Sequence, residues 1–239
     1  MIAIGTAAAV WLLGASGCAV WRIGRSAELA KYSEAFQNRP VAPVLSLLVV
    51  GDSTAVGTGA SNAPHSLAGL AAADYPRLLI DNRAADGAKF EQVVQQLEGV
   101  ERRFDLVLVQ AGGNDVIRLT DEAALSSQID RTVALARQRA DTVILMPSGN
   151  VGSSPFFFAP ISWLMTKRSQ TLHRLIRNAA AAPGVIYVDL YKPPEDDPFV
   201  RQPGMFADDG LHPSDKGYRQ WWSELLRQAD LRPRLAGAR

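Results

Sequence analysis

The chain has 239 residues, 47% of them hydrophobic and 21% charged, enough for one substantial core, and nothing in its length requires a second domain. Its 25 lysines and arginines almost balance 24 aspartates and glutamates, so a net charge of +1 leaves no electrostatic footprint for nucleic acid. The single cysteine, Cys18, excludes a disulfide framework and a CxxC zinc site, and the histidines at 65, 173 and 212 lack metal-ligand spacing, so no metal is expected.

Residues 2–21 carry no charged side chain and are long enough, as a helix, to cross a bilayer. No lysine or arginine precedes the run, as a cleavable leader requires, whereas Arg22, Arg25 and Lys31 follow it. The positive-inside rule then favours a retained membrane anchor over 1–21 with the rest on the cytoplasmic side, the alternative being a secreted or periplasmic protein. Ala15-Ser16-Gly17-Cys18 offers a lipoprotein processing site as a rival to a plain apolar cysteine. Residues 22–43, with Pro40 and Pro43 near their end, are expected to link this segment to a domain over 44–232.

Residues 45–50 (LSLLVV) form a continuous apolar run closed by Gly51, which suits a strand buried on both faces of a parallel sheet. Similar runs lie at 104–110, 142–146 and 185–190, with a shorter one at 77–81. Helical spacing occupies 89–97, 121–140 and 161–182, and again 214–229, where Tyr218, Trp221, Trp222, Leu225 and Leu226 recur on one face. Alternation of strand and helix predicts an α/β fold, a three-layer α/β/α sandwich with a central parallel sheet.

Open parallel sheets gather reactive groups at the carboxyl ends of their strands. Four motifs fall there: Gly51-Asp52-Ser53, Asp86-Gly87, Gly112-Gly113-Asn114-Asp115, and Asp209-Gly210-Leu211-His212 before the last helix. The glycine-rich turn around Ser53 fits neither a phosphate loop, since it holds no lysine, nor a dinucleotide turn, since Asn62 stands where the third glycine belongs. Ser53 is therefore either a plain turn residue or a nucleophile, and a serine nucleophile needs a base and an orienting carboxylate. His212 meets the first need, and Asp209, three residues earlier across a Gly-Leu turn, meets the second. His65 in a polar loop and His173 inside a helix are read as structural, and Asp208 as a cap or a solvated carboxylate. Asn114 either caps the following helix or donates to an oxyanion, and Gly87 is either a turn residue or a second donor through its N–H. Asp52 and Asp115 are read as turn-locking acceptors. Phe156, Phe157, Phe158 and Trp163 form the one dense aromatic stretch, to be read as core, as an acyl-chain pocket, or as a lid facing a membrane.

Taken in order, Gly51-Asp52-Ser53, residues 82–87, Gly112-Gly113-Asn114-Asp115 and Asp209-Gly210-Leu211-His212-Pro213 resemble the four blocks of the SGNH (GDSL-type) hydrolases over roughly residues 45 to 230. Asp86 departs from the small residue that often precedes the glycine of the second block. The resemblance implies a flavodoxin-like fold and a serine esterase working without metal or cofactor. It also implies Ser53 as nucleophile, His212 as base, Asp209 as its orienter, and Ser53, Gly87 and Asn114 as oxyanion donors. The aromatic stretch and the N-terminal run tilt the expected substrate toward a lipid or other acyl ester, as for a lysophospholipase. Deacetylation of a sugar or cell-wall polymer is the alternative, and a non-catalytic binding module on the same fold is a reading of another class. No obligate protein partner is evident in the sequence.

Overall fold

The computed structural model describes residues 20–238. Five parallel strands form one sheet: β1 (Leu45–Gly51), β2 (Leu78–Asn82), β3 (Leu106–Gln110), β4 (Thr142–Leu145) and β5 (Val185–Tyr187), in the spatial order β2-β1-β3-β4-β5. That order is the flavodoxin-like one, and it reverses direction between β1 and β3, where a crevice opens beyond the strand ends.

Period-two alternation within the apolar runs builds both outer layers at once. Leu47 and Val49 of β1 face a cluster with Leu78, Ile80, Tyr218 and Trp222, while Leu48 and Val50 face a second cluster with Val107, Val109, Phe90 and Ile129. The first layer carries α3 (Leu67–Asp74), α9 (Asp215–Gln228) and α10 (Leu231–Arg234). The second carries α4 (Phe90–Glu98), α6 (Glu122–Arg139) and α7 (Ile161–Ala179). Polar residues at the starts of α6 and α9 satisfy free N–H groups: Asp121 accepts from the N–H of Ala123 and Ala124, and Ser214 from those of Lys216 and Gly217.

Helices α2 (Ser53–Val56), α5 (Gly113–Ile117), α8 (Pro198–Arg201) and α10 escape the sequence reading because four or five residues carry no periodic signature, and the alanine-rich α3 escapes it too. Strand β5 ends at Tyr187 rather than running to residue 190.

The expected linker over 22–43 is a packed part of the fold. Residues 20–32 form a helix, α1, whose less exposed positions 22, 25, 26, 29 and 30 recur at helical spacing. Beyond it, Asn38 forms an antiparallel bridge with Ile80 and the Gln37 side chain bonds both backbone groups of Asn82, so this segment covers the edge of β2. Pro40 and Pro43 mark only the last turn before β1, which is why proline alone overstated the linker. The apolar run expected as an anchor, apart from residues 20 and 21, lies outside the described residues, as does Cys18. Among the described residues no helix is long and apolar enough to cross a membrane.

Candidate active site

Gly51 ends β1 where the carbonyl of Gln110 on β3 crowds it: a Cβ there would lie 1.9 Å from that oxygen. Only glycine fits. The chain then turns through Asp52, whose buried carboxylate accepts the N–H of Thr54 at 2.9 Å and its hydroxyl at 2.7 Å, capping α2. Burial pushes the Asp52 carboxyl up to about 6, against the pull of those two hydrogen bonds. Ser53 thus starts a helical turn at the carboxyl end of β1.

His212 arrives from the other end of the chain. Its Nε2 lies 2.9 Å from Ser53 Oγ and its Nδ1 lies 2.6 Å from Asp209 Oδ2. The other Asp209 oxygen, Oδ1, accepts the N–H of Leu211 at 2.9 Å and of His212 at 3.1 Å, which holds the carboxylate behind the ring. Burial alone would raise the Asp209 carboxyl, but hydrogen bonds from His212, Ser26 and Leu211 outweigh it and bring it down to about 2. An ionised Asp209 can only accept, so Nδ1 carries the imidazole proton and Nε2 is left to accept from the Ser53 hydroxyl.

Two more motif loops close on the same place. Gly87 and Asn114 line a pocket of about 410 Å³ together with Ser53 and His212. Asn114 Nδ2 donates to the Ala88 carbonyl at 3.2 Å, which aligns the amide and leaves its second hydrogen free to serve the pocket. Asp115, beside it, accepts the N–H of Phe90 at 3.0 Å and ties the loop to α4. Thr58 joins the loops to one another: its hydroxyl donates to Asp86 at 2.6 Å, its N–H to the Ser53 carbonyl at 2.9 Å, and its carbonyl accepts the Tyr218 hydroxyl at 2.8 Å.

The other histidines are elsewhere. His173 is buried with Nδ1 2.6 Å from the Tyr187 hydroxyl and Nε2 2.8 Å from the Ser148 carbonyl; burial lowers its pKa against the pull of that carbonyl. His65 meets Ser61 at 2.8 Å and Asp215 at 2.9 Å, both at Nδ1, and Ser61 itself donates to Asp215 at 2.8 Å. With both partners on one ring nitrogen this exposed trio is no relay. Asp208 is exposed and pairs with Arg25 at 3.2 Å. Among the described residues no group of three or more His, Cys, Asp or Glu side chains is placed to hold a metal ion.

The aromatic stretch does not line the pocket. Phe157 packs onto the core beside α7, Phe156 stands edge-on to it with ring centroids 4.9 Å apart, and Phe158 and Trp163 face outward on the surface. The apolar wall comes instead from Ile117, Val151, Phe199, Phe206, Leu211 and Trp221. Leu211 lies within the histidine motif, a signal that would have pointed to it, and Trp221 sits on the helix that follows the motif. Ser26, Ala27 and Ala30 of α1 also line the pocket, and Ser26 Oγ donates to Asp209 Oδ2 at 2.6 Å. Nothing in the sequence around Ser26 marks it.

The profile of the GDSL-like Lipase/Acylhydrolase family matches residues 49–220, which span all four motifs. Among solved structures, a member of the lipolytic protein G-D-S-L family from Veillonella parvula is 18% identical, superposes with a TM-score of 0.61, and the match covers 76% of this chain and 96% of that one. TesA is similar at 20% identity and a TM-score of 0.62, over 79% of this chain and 98% of its own. A catalytic mutant of Axe2, an acetylxylan esterase from Geobacillus stearothermophilus, is 19% identical with a TM-score of 0.59, over 80% of this chain and 96% of its own. At such identities the likeness speaks for the fold. No curated protein matches the chain.

Proposed function

The chain belongs to the GDSL-like lipase and acylhydrolase family, and from that premise we propose that it is a serine esterase cleaving carboxylic esters of a lipid or other acyl group, as a lysophospholipase does. What carries the reading is the unbroken relay of 2.9 Å from Ser53 Oγ to His212 Nε2 and 2.6 Å from His212 Nδ1 to Asp209 Oδ2. In the proposed cycle His212 takes the hydroxyl proton as Ser53 Oγ attacks the ester carbonyl carbon. The N–H groups of Ser53 and Gly87 and the amide of Asn114 receive the oxyanion. Collapse of the tetrahedral species expels the alcohol, which leaves with the proton from His212. A water activated by the same imidazole then releases the acid and restores Ser53. Asp209 stays ionised and steadies the imidazolium.

The apolar wall and the volume of about 410 Å³ support an acyl group of several carbons rather than acetyl alone. An apolar N-terminal segment over 2–21 would hold the enzyme at a membrane, where such esters reside. The test is labelling by a fluorophosphonate, with Ser53→Ala as control, followed by a series of nitrophenyl esters of increasing chain length. Labelling that depends on Ser53 and turnover that rises beyond the acetyl ester are expected. Absence of labelling would leave a binding module, and a sharp preference for acetate would leave a deacetylase.

A further inference from the structure

Asp209 is fully buried, and what buries its outer side is α1. Its Oδ2 is shared between two donors at the same distance, 2.6 Å from His212 Nδ1 and 2.6 Å from Ser26 Oγ. The helix that brings Ser26 there is fastened at two further points. Arg25 reaches Asp208 at 3.2 Å, and Arg22 bonds the Pro155 carbonyl while its guanidinium lies 4.8 Å over the Phe158 ring. The 154–156 turn is in turn tied to the histidine motif, since Ser154 Oγ donates to the Gly210 carbonyl at 2.7 Å and Phe156 N–H to the same oxygen at 3.1 Å.

We infer that Ser26 is a positioning residue for the relay, setting both the place and the basicity of the Asp209 carboxylate from outside the 49–220 region that carries the family motifs. The inference rests on the Ser53-His212-Asp209 reading above. A carboxylate oxygen that accepts from a hydroxyl as well as from an imidazole has less negative charge to offer the ring. Without Ser26 the imidazole becomes the sole side-chain donor to Oδ2, and the undivided charge of the carboxylate favours the imidazolium over the neutral ring. The ring is then unable to act as base over part of the range where the parent works. The other charged and titratable groups around the pocket are Asp52, Asp86 on the loop after β2, Arg118 after α5 and Asp197 before α8, with Asp208 and Arg25 at the rim and the Tyr218 phenol on α9. The substitution leaves all of them in place.

The experiment uses the full chain in detergent and a nitrophenyl butyrate substrate, with kcat and KM measured from about pH 5 to about pH 9. Alanine is the best helix former, so Ser26→Ala keeps α1, and a thermal melt checks this. The expected result is a fall in kcat of about tenfold with KM little changed, and an acid limb displaced to higher pH. Ser26→Thr, which keeps the hydroxyl, should bring back both. An unchanged kcat and acid limb in Ser26→Ala would overturn the inference, and so would a lower kcat with an unmoved acid limb that threonine does not rescue, the mark of a helix merely held in place. Ser53→Ala run alongside separates the two levels: if it still hydrolyses the ester, the relay itself is wrong. If it is dead while Ser26→Ala behaves as the parent, only the role of Ser26 falls.

Discussion

Gly59 stands against the turn that carries His212: a Cβ on Gly59 would lie 2.8 Å from His212 Cβ and 2.5 Å from the Pro213 carbonyl oxygen. Its φ of +94° is one that side chains rarely adopt. Gly59→Ala should therefore strain the backbone and push the imidazole off Ser53 together. We expect a loss of about 2 kcal/mol in stability and a fall in kcat, per folded molecule, of at least about tenfold. Thermal melts and active-site titration separate the two effects, and a variant with parental kcat would show that the histidine turn is not set by this contact.

Asn114→Ala should leave the fold intact, since it removes only the 3.2 Å bond to the Ala88 carbonyl from a half-buried site. Turnover should drop by about 10²–10³ with KM little affected, because an oxyanion donor acts in the transition state. Steady-state kinetics on one nitrophenyl ester decide it, and a fully active variant would remove Asn114 from the mechanism.

Asp52 predicts a pH dependence of stability whose sign is opposite to the usual one for a carboxylate. Its folded pKa of about 6 lies above the ordinary 3.8, so its contribution is fully present below about 3.8 and is lost as pH rises through about 6. The full effect is about 3 kcal/mol at order-of-magnitude level. Asp209, held down to about 2, contributes above 3.8 and loses its contribution only as pH falls through about 2, so it does not offset Asp52 between about 4 and 8. Asp52→Asn keeps an oxygen for Thr54 and removes the buried charge. In urea melts it should exceed the parent in stability near pH 8 and lose that margin near pH 4, whereas a margin independent of pH would contradict the burial argument.

Gln110 is fully buried at the end of β3, and among the described residues neither its amide nitrogen nor its amide oxygen has a partner. Gln110→Met keeps length and volume and removes two desolvated polar atoms, so a gain of about 1–3 kcal/mol is expected in thermal denaturation. A loss instead would mean that the amide is satisfied in solution, as by a buried water.

The sheet was legible because short, nearly unbroken apolar runs alternating with helical spacing are distinctive, and the site because strand ends in such a sheet share one edge. Ser53, Asp209 and His212 could be paired from sequence since the chemistry of each needs the others. The substrate wall could not, because Phe199 lies in the four-residue α8 and Phe206 in the loop before α9, both too short to show a period to read. Hydrophobic density misled at residues 156–163: it reports that a stretch wants cover, and Phe157 finds that cover in the core while Phe158 and Trp163 remain outside. Helix α1 escaped for the reverse reason, since its inward face is mostly polar or small, with Arg22, Arg25, Ser26 and Ala30 around a single large apolar residue, Leu29.

Thr58 spends every polar atom it has on a different part of the edge, gripping the Ser53 turn, Asp86 and Tyr218. The Ser53 turn, the Asp86-Gly87 loop and α9 are therefore tied into one block. On the proposed chemistry, adaptation to a new acyl group falls to walls outside that block, Val151 and the Phe199–Phe206 side, while α1 carries Ser26 and is bound to the relay.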